Sequence, residues 1–145
     1  MSITFSIDAP QFRLNDRNDV RQWISSVVNC NHKRVGTISY KFCDDESVLK
    51  INQQFLNHDT YTDIITFDYV QGDLISGDIV ISVERVADNA KKLGVPFAQE
   101  LRRVIIHGVL HLLGNGDKTD SEAKMMRGKE DEALQIWKEM RSSKR

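Results

Sequence analysis

The chain contains, from residue 107 to residue 117, the segment His107-Gly108-Val109-Leu110-His111-Leu112-Leu113-Gly114-Asn115-Gly116-Asp117. It continues an apolar run that begins at Val104, and the run predicts a helix. Histidines four residues apart on a helix project from one face, at the spacing that lets two imidazoles share a zinc ion. Gly114 tolerates a left-handed backbone, so it is expected to end the helix and return Asp117 towards the histidines.

This pattern predicts one zinc ion held by His107, His111 and Asp117. Three protein ligands leave a fourth position open, which is typical of a catalytic site that activates water. The alternative is a pair of histidines with unrelated roles, one in the core and one on the surface. In the HExxH motif of metalloproteases a glutamate follows the first histidine and acts as general base. Gly108 occupies that position here, so the catalytic base is left unassigned.

Length and composition indicate a single globular domain over residues 1–145. The chain is 40% apolar and 28% charged, which is ordinary for such a domain. Its apolar runs are far shorter than the roughly 20 residues that span a bilayer. The N-terminus lacks the pattern of a secretion signal. We therefore expect a cytoplasmic protein without a membrane partner or an organic cofactor, in which Cys30 and Cys43 are free buried thiols.

Charge is unevenly distributed along the chain, although the net charge is only −1. Residues 1–83 carry 7 Lys/Arg and 11 Asp/Glu, whereas residues 84–145 carry 13 and 10. The half with the predicted metal site is thus the basic half, which weakly favours an anionic substrate. Solvated helix faces would give the same imbalance.

The order of predicted elements indicates an α+β fold with a four-stranded mixed sheet packed against helices. Strand, helix, strand and helix follow one another in the first third of the chain, which favours parallel pairing of the first two strands. A hairpin is expected to join the last two strands, with Gly72 and Gly77 as turn residues in its loop. The expected strand order is 2-1-3-4, with strands at 3–7, 37–43, 64–70 and 78–83.

Three segments, in this order, resemble the YbeY family of bacterial metal-dependent endoribonucleases, also described as rRNA maturation factors. They are Thr62-Asp63-Ile64-Ile65-Thr66-Phe67, Gly77-Asp78-Ile79-Val80-Ile81-Ser82 and His107 to Asp117. The family patterns are TDVLSF, GDIxIS and HGxLHLxGYDH. The resemblance runs from the second strand to the last helix.

The resemblance implies an α/β domain whose helix with His107 and His111 is a zincin-like metal helix. It also implies work on ribosomal RNA, especially maturation of the small-subunit RNA 3′ end, and ribosome quality control. By position, His107 and His111 match the first two zinc ligands of the family, and Asp117 stands where the third, a histidine, is found. The connection 58–61 also lacks the arginine that many members carry there.

Asp63, Thr66 and Lys118 are candidate substrate-binding residues beside the predicted zinc ion. Asp63 could instead hold its own turn through backbone N–H groups, and Lys118 could simply be solvated. Other candidates for phosphate contacts, with the same alternative, are Lys91, Lys92, Arg102 and Arg103. His58 is a candidate proton shuttle or an ordinary loop residue.

Three functions follow from these patterns. The first is a zinc-dependent endoribonuclease acting on single-stranded segments in rRNA processing, with ribosomal RNA or the pre-ribosomal small subunit as its partner. The second is a non-catalytic, zinc-containing ribosome assembly factor. The third is a metalloprotease, which Gly108 disfavours because peptide hydrolysis at such sites uses a glutamate base.

Overall fold

The computed structural model describes residues 2–57 and 61–144, so His58 and the rest of 58–60 lie outside it. Four strands and five helices are found in these two ranges. Their bounds, in chain order, are β1 Ser2–Asp8, α1 Arg17–Cys30, β2 Arg34–Cys43, α2 Asp45–Leu56, β3 Ile64–Asp68, β4 Leu74–Ser82, α3 Val83–Leu93, α4 Phe97–Leu112 and α5 Asp120–Ser143.

The four strands form one mixed sheet in the order β1-β2-β4-β3. β1 pairs parallel with β2, β2 pairs parallel with β4, and β3 pairs antiparallel with β4. The predicted α+β class, the parallel first pair and the antiparallel last pair are confirmed, but the predicted order 2-1-3-4 is wrong. Most of the ten residues of β2 are buried, as is typical of a central strand. In β1 only Ile3 is fully buried, and Thr4 and Ser6 are exposed, as is typical of an edge strand.

The hairpin before β4 is shorter than the sequence predicts, because β4 begins at Leu74 rather than at Asp78. Gly77 lies inside this strand and is not a turn residue. A Cβ atom there would lie 2.6 Å from the carbonyl oxygen of Phe67 and 2.9 Å from Cδ2 of Leu112. Gly77 therefore lets the end of α4 approach the β3–β4 pair closely.

The main core lies between one face of the sheet and the helices α1, α4 and α5. Two buried hydrogen bonds connect these layers. The indole of Trp23 in α1 donates to the carbonyl of Ala133 in α5 at 2.7 Å, and the hydroxyl of Tyr40 in β2 donates to the carbonyl of Ile105 in α4 at 2.9 Å. The second of these bonds ties α4, the helix that carries the histidines, directly to the sheet.

On the opposite face of the sheet, α2 packs over a smaller cluster that includes Cys43, Val48 and Ile65. Asp44 caps this helix by accepting a hydrogen bond from the backbone N–H of Ser47. Both cysteines are free thiols, but only Cys43 is buried. The prediction of burial is wrong for Cys30 because it is the exposed last residue of α1.

Five helices lie in the part of the chain that the structure describes. Within residues 2–57 and 61–144, none combines the length and the apolar character needed to cross a membrane.

Candidate functional site

α4 places both histidines on one face, and the turn that follows it reverses the chain. The helix begins directly after Pro96 and ends at Leu112, and Gly114 has a φ of 99°, a conformation that favours glycine. The side chain of Asn115 donates to the carbonyl of Leu110 at 2.9 Å, which fixes the turn. The chain is therefore directed back past the end of α4, as the sequence predicts.

The start of α5 holds the segment that carries Asp117. Thr119 accepts a hydrogen bond from the backbone N–H of Glu122, and the Glu122 carboxylate accepts one from the N–H of Thr119, which is a complete capping box. A Cβ atom at Gly116 would lie 2.4 Å from Oε2 of Glu122. A larger residue there would have to displace the capping carboxylate, so glycine fits this tight return.

A cleft of about 420 Å³ opens between α4, α5 and the start of β3. It brings together His107, His111, Asp117, Asp63 and Thr66, which are five of the six site residues predicted from the sequence. Lys118, the sixth, is exposed and does not line the cleft. The predicted groove between the histidine helix and the 63–67 strand is therefore present.

His107 lies between two carboxylates at the bottom of this cleft. Its Nδ1–H donates to Oε2 of Glu130 at 2.7 Å, and its Nε2 lies 3.2 Å from Oδ2 of Asp117. Burial alone would lower the pKa of His107, but the hydrogen bond to Glu130 and the charges of Glu130, Asp117 and Asp63 together raise it above its ordinary value. The ring is thus fixed in orientation, and the surrounding carboxylates favour positive charge at this point of the cleft.

The donors in the cleft fit a zinc ion in type and in local spacing. Two ligands at about 2.0–2.2 Å from a tetrahedral zinc are about 3.3–3.6 Å apart, slightly more than the 3.2 Å between His107 Nε2 and Asp117 Oδ2. A zinc-bound histidine commonly donates its other ring N–H to a carboxylate, as His107 does to Glu130. However, no three His, Cys, Asp or Glu side chains are gathered closely enough to hold a metal ion, among residues 2–57 and 61–144.

His111 would be the third ligand beside His107 and Asp117. It lines the same cleft one helical turn beyond His107, and it is exposed. Exposed side chains rotate between staggered conformers at little cost. His111 can therefore change its rotamer while the helix that carries it stays in place.

Arg103 neutralises the acidic groups behind His107. Its guanidinium lies 3.0 Å from Oε1 of Glu130, 3.2 Å from Asp131 and 3.6 Å from Glu100. Burial would lower the pKa of Arg103, but these carboxylates raise it, so the guanidinium stays charged. Arg103 thereby keeps Glu130 available as the acceptor for the His107 ring.

Asp63 contributes a second carboxylate to the wall of the cleft opposite α4. Burial raises its pKa, and the positive charge that His107 can carry opposes this shift. The side-chain amide of Asn89 lies 3.4 Å from its Oδ2, and its carbonyl accepts the N–H of Ser82 at 2.9 Å. Asp63 therefore has a structural role at the entry of β3 while its carboxyl group faces the cleft.

Gly108 faces the sheet and not the cleft. A Cβ atom there would lie 2.9 Å from Cδ1 of Ile79 and 3.2 Å from Cδ1 of Ile64. A glutamate at this position would clash with the strands before it could reach the histidines. The close packing of α4 on the sheet is thus the physical reason for the missing glutamate.

Glu130 and Arg127, which line the cleft from α5, were not among the residues predicted from the sequence. Neither has a fixed spacing from the histidines, because α5 is a separate helix. One local signal does exist for Glu130. It is a charged residue on the buried face of α5, and a buried charge requires a partner. The other buried residues of this face are Met126, Ala133, Leu134 and Trp137.

The fold and the cleft together define an α+β protein with a histidine–carboxylate centre at the side of a four-stranded mixed sheet. Residues 6–138 match the family described as Endoribonuclease YbeY. The chain therefore belongs to the YbeY family, as the sequence motifs indicate.

Individual relatives agree with this assignment. The chain is 50% identical to Endoribonuclease YbeY of Flavobacterium psychrophilum over 137 residues, which cover 94% of this chain and 96% of the relative. It is 42% identical to Endoribonuclease YbeY of Bacteroides fragilis over 139 residues, covering 96% and 100%. The solution structure of TM1509 from Thermotoga maritima superposes with a TM-score of 0.66 at 26% identity, covering 96% of this chain and 93% of that one.

Proposed function

We propose that this protein is a zinc-dependent endoribonuclease that acts in rRNA processing in the cytoplasm. The observation that carries the proposal is the position of His107, held by Glu130 at 2.7 Å on one side and facing Asp117 at 3.2 Å on the other. Membership of a family named for endoribonuclease activity supports the reaction. The resemblance to rRNA maturation factors supports small-subunit rRNA 3′-end maturation and ribosome quality control as its setting.

His107, His111 and Asp117 would hold one zinc ion, with Glu130 orienting the His107 ring. When bound, zinc supplies Lewis-acid chemistry and activates water for attack on phosphorus. Glu130 fixes the tautomer of His107 so that Nε2, rather than Nδ1, is directed into the cleft. The 117–119 segment is held by the capping box of α5, which keeps Asp117 next to that nitrogen.

The RNA strand would lie in the cleft between α4 and β3. Arg127 lines this cleft, is exposed, and supplies a guanidinium group of the kind that binds phosphate oxygens. Thr66 and Asp63 offer a hydroxyl and a carboxyl group that can bond ribose or base edges from the opposite wall. Arg127 would provide, from α5, the positive charge that the 58–61 connection lacks.

Peptide hydrolysis is disfavoured by the packing of α4. A metalloprotease with this helix motif uses a glutamate after the first histidine, and the Cβ position of Gly108 is directed at Ile79. Attack on phosphorus does not need a side-chain base at that point, because a bound metal ion would supply the activated water and Lewis-acid chemistry.

A non-catalytic assembly factor is the second candidate. The observation that favours it is the substitution of the third family histidine by Asp117, which lowers the net charge of the three-ligand set and would make zinc a weaker Lewis acid. In this reading the cleft still holds zinc and the protein still binds pre-ribosomal RNA, but it does not cleave.

An assay of the purified, zinc-loaded protein distinguishes these functions. The protein is incubated with a labelled single-stranded rRNA fragment and, in parallel, with casein. We expect internal cleavage of the RNA, intact casein, and loss of RNA cleavage in His111→Ala. RNA binding without cleavage would support the assembly factor. Casein hydrolysis, or undiminished RNA cleavage by His111→Ala, would contradict the proposed nuclease site.

A further inference from the structure

A second groove, of about 400 Å³, lies between the start of α4 and the C-terminal half of α5. Three cationic side chains line it, Arg102, Lys138 and Arg141, and no acidic residue does. Arg102 was a candidate for phosphate contact beside the zinc ligands. The structure places it outside the cleft of His107, in this separate groove.

Two guanidinium groups share one indole in this groove. The Arg102 carbon Cζ lies 5.0 Å from the ring centroid of Trp137, and that of Arg141 lies 5.3 Å from it. Each contact is favourable by itself, but together they bring two positive charges to the same ring. Burial and the charge of Arg141 lower the pKa of Arg102. Two positive charges therefore meet at this ring on the wall of the groove.

Arg141 forms ion pairs with two aspartates, whereas Asp16 acts on Arg102 through its charge without forming an ion pair with it. Arg141 pairs with Asp19 at 2.5 Å and with Asp16 at 3.4 Å. Arg102 forms no ion pair within residues 2–57 and 61–144, and its buried Nε has no hydrogen-bond partner there. An anion that enters the groove would gain a charge partner in Arg102, whose side chain lines the groove.

The geometry of these groups fits a phosphate better than a nucleobase. A guanidinium presents parallel N–H groups that match two oxygens of a phosphate, and Lys138 adds a flexible third charge at the rim. Trp137 is only 7% exposed, and its ring is in contact with the two arginines, so it is not available for stacking a base. The groove therefore offers charge without base recognition, as phosphate contacts do.

This groove and the zinc-ligand cleft lie along the same side of α5. Arg127 and Glu130 in the cleft, and Leu134, Lys138 and Arg141 in the groove, follow one another at spacings of three or four residues. From Glu130 to Arg141 the helix rises about 16 Å. A single RNA strand with its scissile phosphate in the cleft could extend along α5 into the groove.

We infer that the groove formed by Arg102, Lys138 and Arg141 around Trp137 binds phosphate groups, supplied by the backbone of an RNA strand that is cleaved in the neighbouring cleft. This inference rests on the proposed function for its RNA substrate, but not for the anion site itself. The same chemistry would also accept free phosphate, so the test needs one probe for each source.

The first probe is a fluorescent single-stranded RNA, titrated with the full chain in chelator so that the RNA stays intact. We expect the double variant Arg102→Met/Lys138→Gln to bind the RNA about tenfold more weakly. The slope of log K against log salt concentration should become smaller in magnitude by about 2, which is about 1 for each lost phosphate contact. Methionine keeps the packing of Arg102 on Trp137. The matched control is Lys124→Gln/Lys129→Gln, which removes two charges from α5 outside the groove and should leave affinity within about twofold.

The second probe is inorganic phosphate at constant ionic strength, followed by the NMR signal of the Trp137 indole N–H. We expect a saturable shift in the wild type that is absent in Arg102→Met, with chloride as the reference anion. A phosphate shift without any change in RNA affinity would reject RNA as the source. If neither RNA affinity nor the indole signal depends on Arg102, the inference is wrong. A wild type that binds no RNA would contradict the proposed function, and the phosphate titration would still decide whether the groove is an anion site.

Discussion

Nδ1 of His107 lies 2.7 Å from Oε2 of Glu130, although 23 residues and a helix boundary separate them. Arg103 contacts the other oxygen of the same carboxylate at 3.0 Å. The ring of His107 is thus held by a charged network between α4 and α5. Its remaining nitrogen is directed at Asp117 before any ligand arrives.

Removal of the Glu130 charge should weaken metal binding without removing a ligand. We expect Glu130→Gln to reduce zinc affinity about 10- to 100-fold, as substitutions of such supporting carboxylates do. Competition with a chromophoric chelator measures this directly. Glu132→Gln, an exposed carboxylate on the opposite side of α5, is the control and should bind zinc like the wild type. Equal affinities for Glu130→Gln and the control would show that Glu130 does not orient the ligand.

The ligand assignment itself is tested by two substitutions with opposite expectations. His111→Ala should abolish stoichiometric zinc binding and lower the melting temperature measured with zinc, because bound metal stabilises the folded state. Asp117→His should keep or raise affinity, because it restores the histidine found at this position in the family. Zinc content is measured by elemental analysis after dialysis. Unchanged content in His111→Ala would reject the site.

Much of the fold is predictable from local sequence patterns. The histidine helix, the turn at Gly114, the cap at Asp44 and the hairpin pairing of the last two strands follow from spacing and turn chemistry. The strand order does not, because the choice of neighbour for β2 depends on which strands can be buried on both faces. Gly77 likewise looks like a turn residue until the approach of Leu112 is known.

The same distinction applies to the cleft. His107, His111 and Asp117 lie within one local motif, so their shared cleft follows from helix geometry and one glycine turn. Glu130 and Arg127 reach the cleft only because α5 packs against α4. Lys118 is adjacent to Asp117 in sequence but faces solvent, which shows that proximity along a turn does not fix the direction of a side chain.

Two glycines in helices should respond oppositely to the same substitution. Gly108→Ala places a methyl group 2.9 Å from Ile79, and we expect a loss of about 1–3 kcal/mol of unfolding free energy from overpacking. Gly128→Ala meets no atom within 4 Å in the middle of α5, and should gain about 0.5–1 kcal/mol from helix propensity. Urea denaturation measures both. A stable Gly108→Ala would mean that α4 does not need this close approach to the sheet.

The two thiols should differ strongly in reactivity. Cys30 is exposed, whereas burial raises the pKa of Cys43 to about 11, so its thiolate is about a thousandfold less abundant than its thiol at pH 8. We expect a disulfide reagent to label one thiol rapidly in the native protein and two in denaturant. Cys30→Ser should remove the rapid phase. Rapid labelling that survives in Cys30→Ser would show that the cluster beneath α2 opens readily.

The zinc site is tested most directly by a crystal structure of the zinc-loaded protein with diffraction data recorded on both sides of the zinc absorption edge. We expect one anomalous peak about 2.0–2.2 Å from Nε2 of His107 and from donor atoms of His111 and Asp117, with Glu130 still bonded to Nδ1. A peak at another position, or none at the cleft in protein that contains stoichiometric zinc, would contradict the assignment of these three residues.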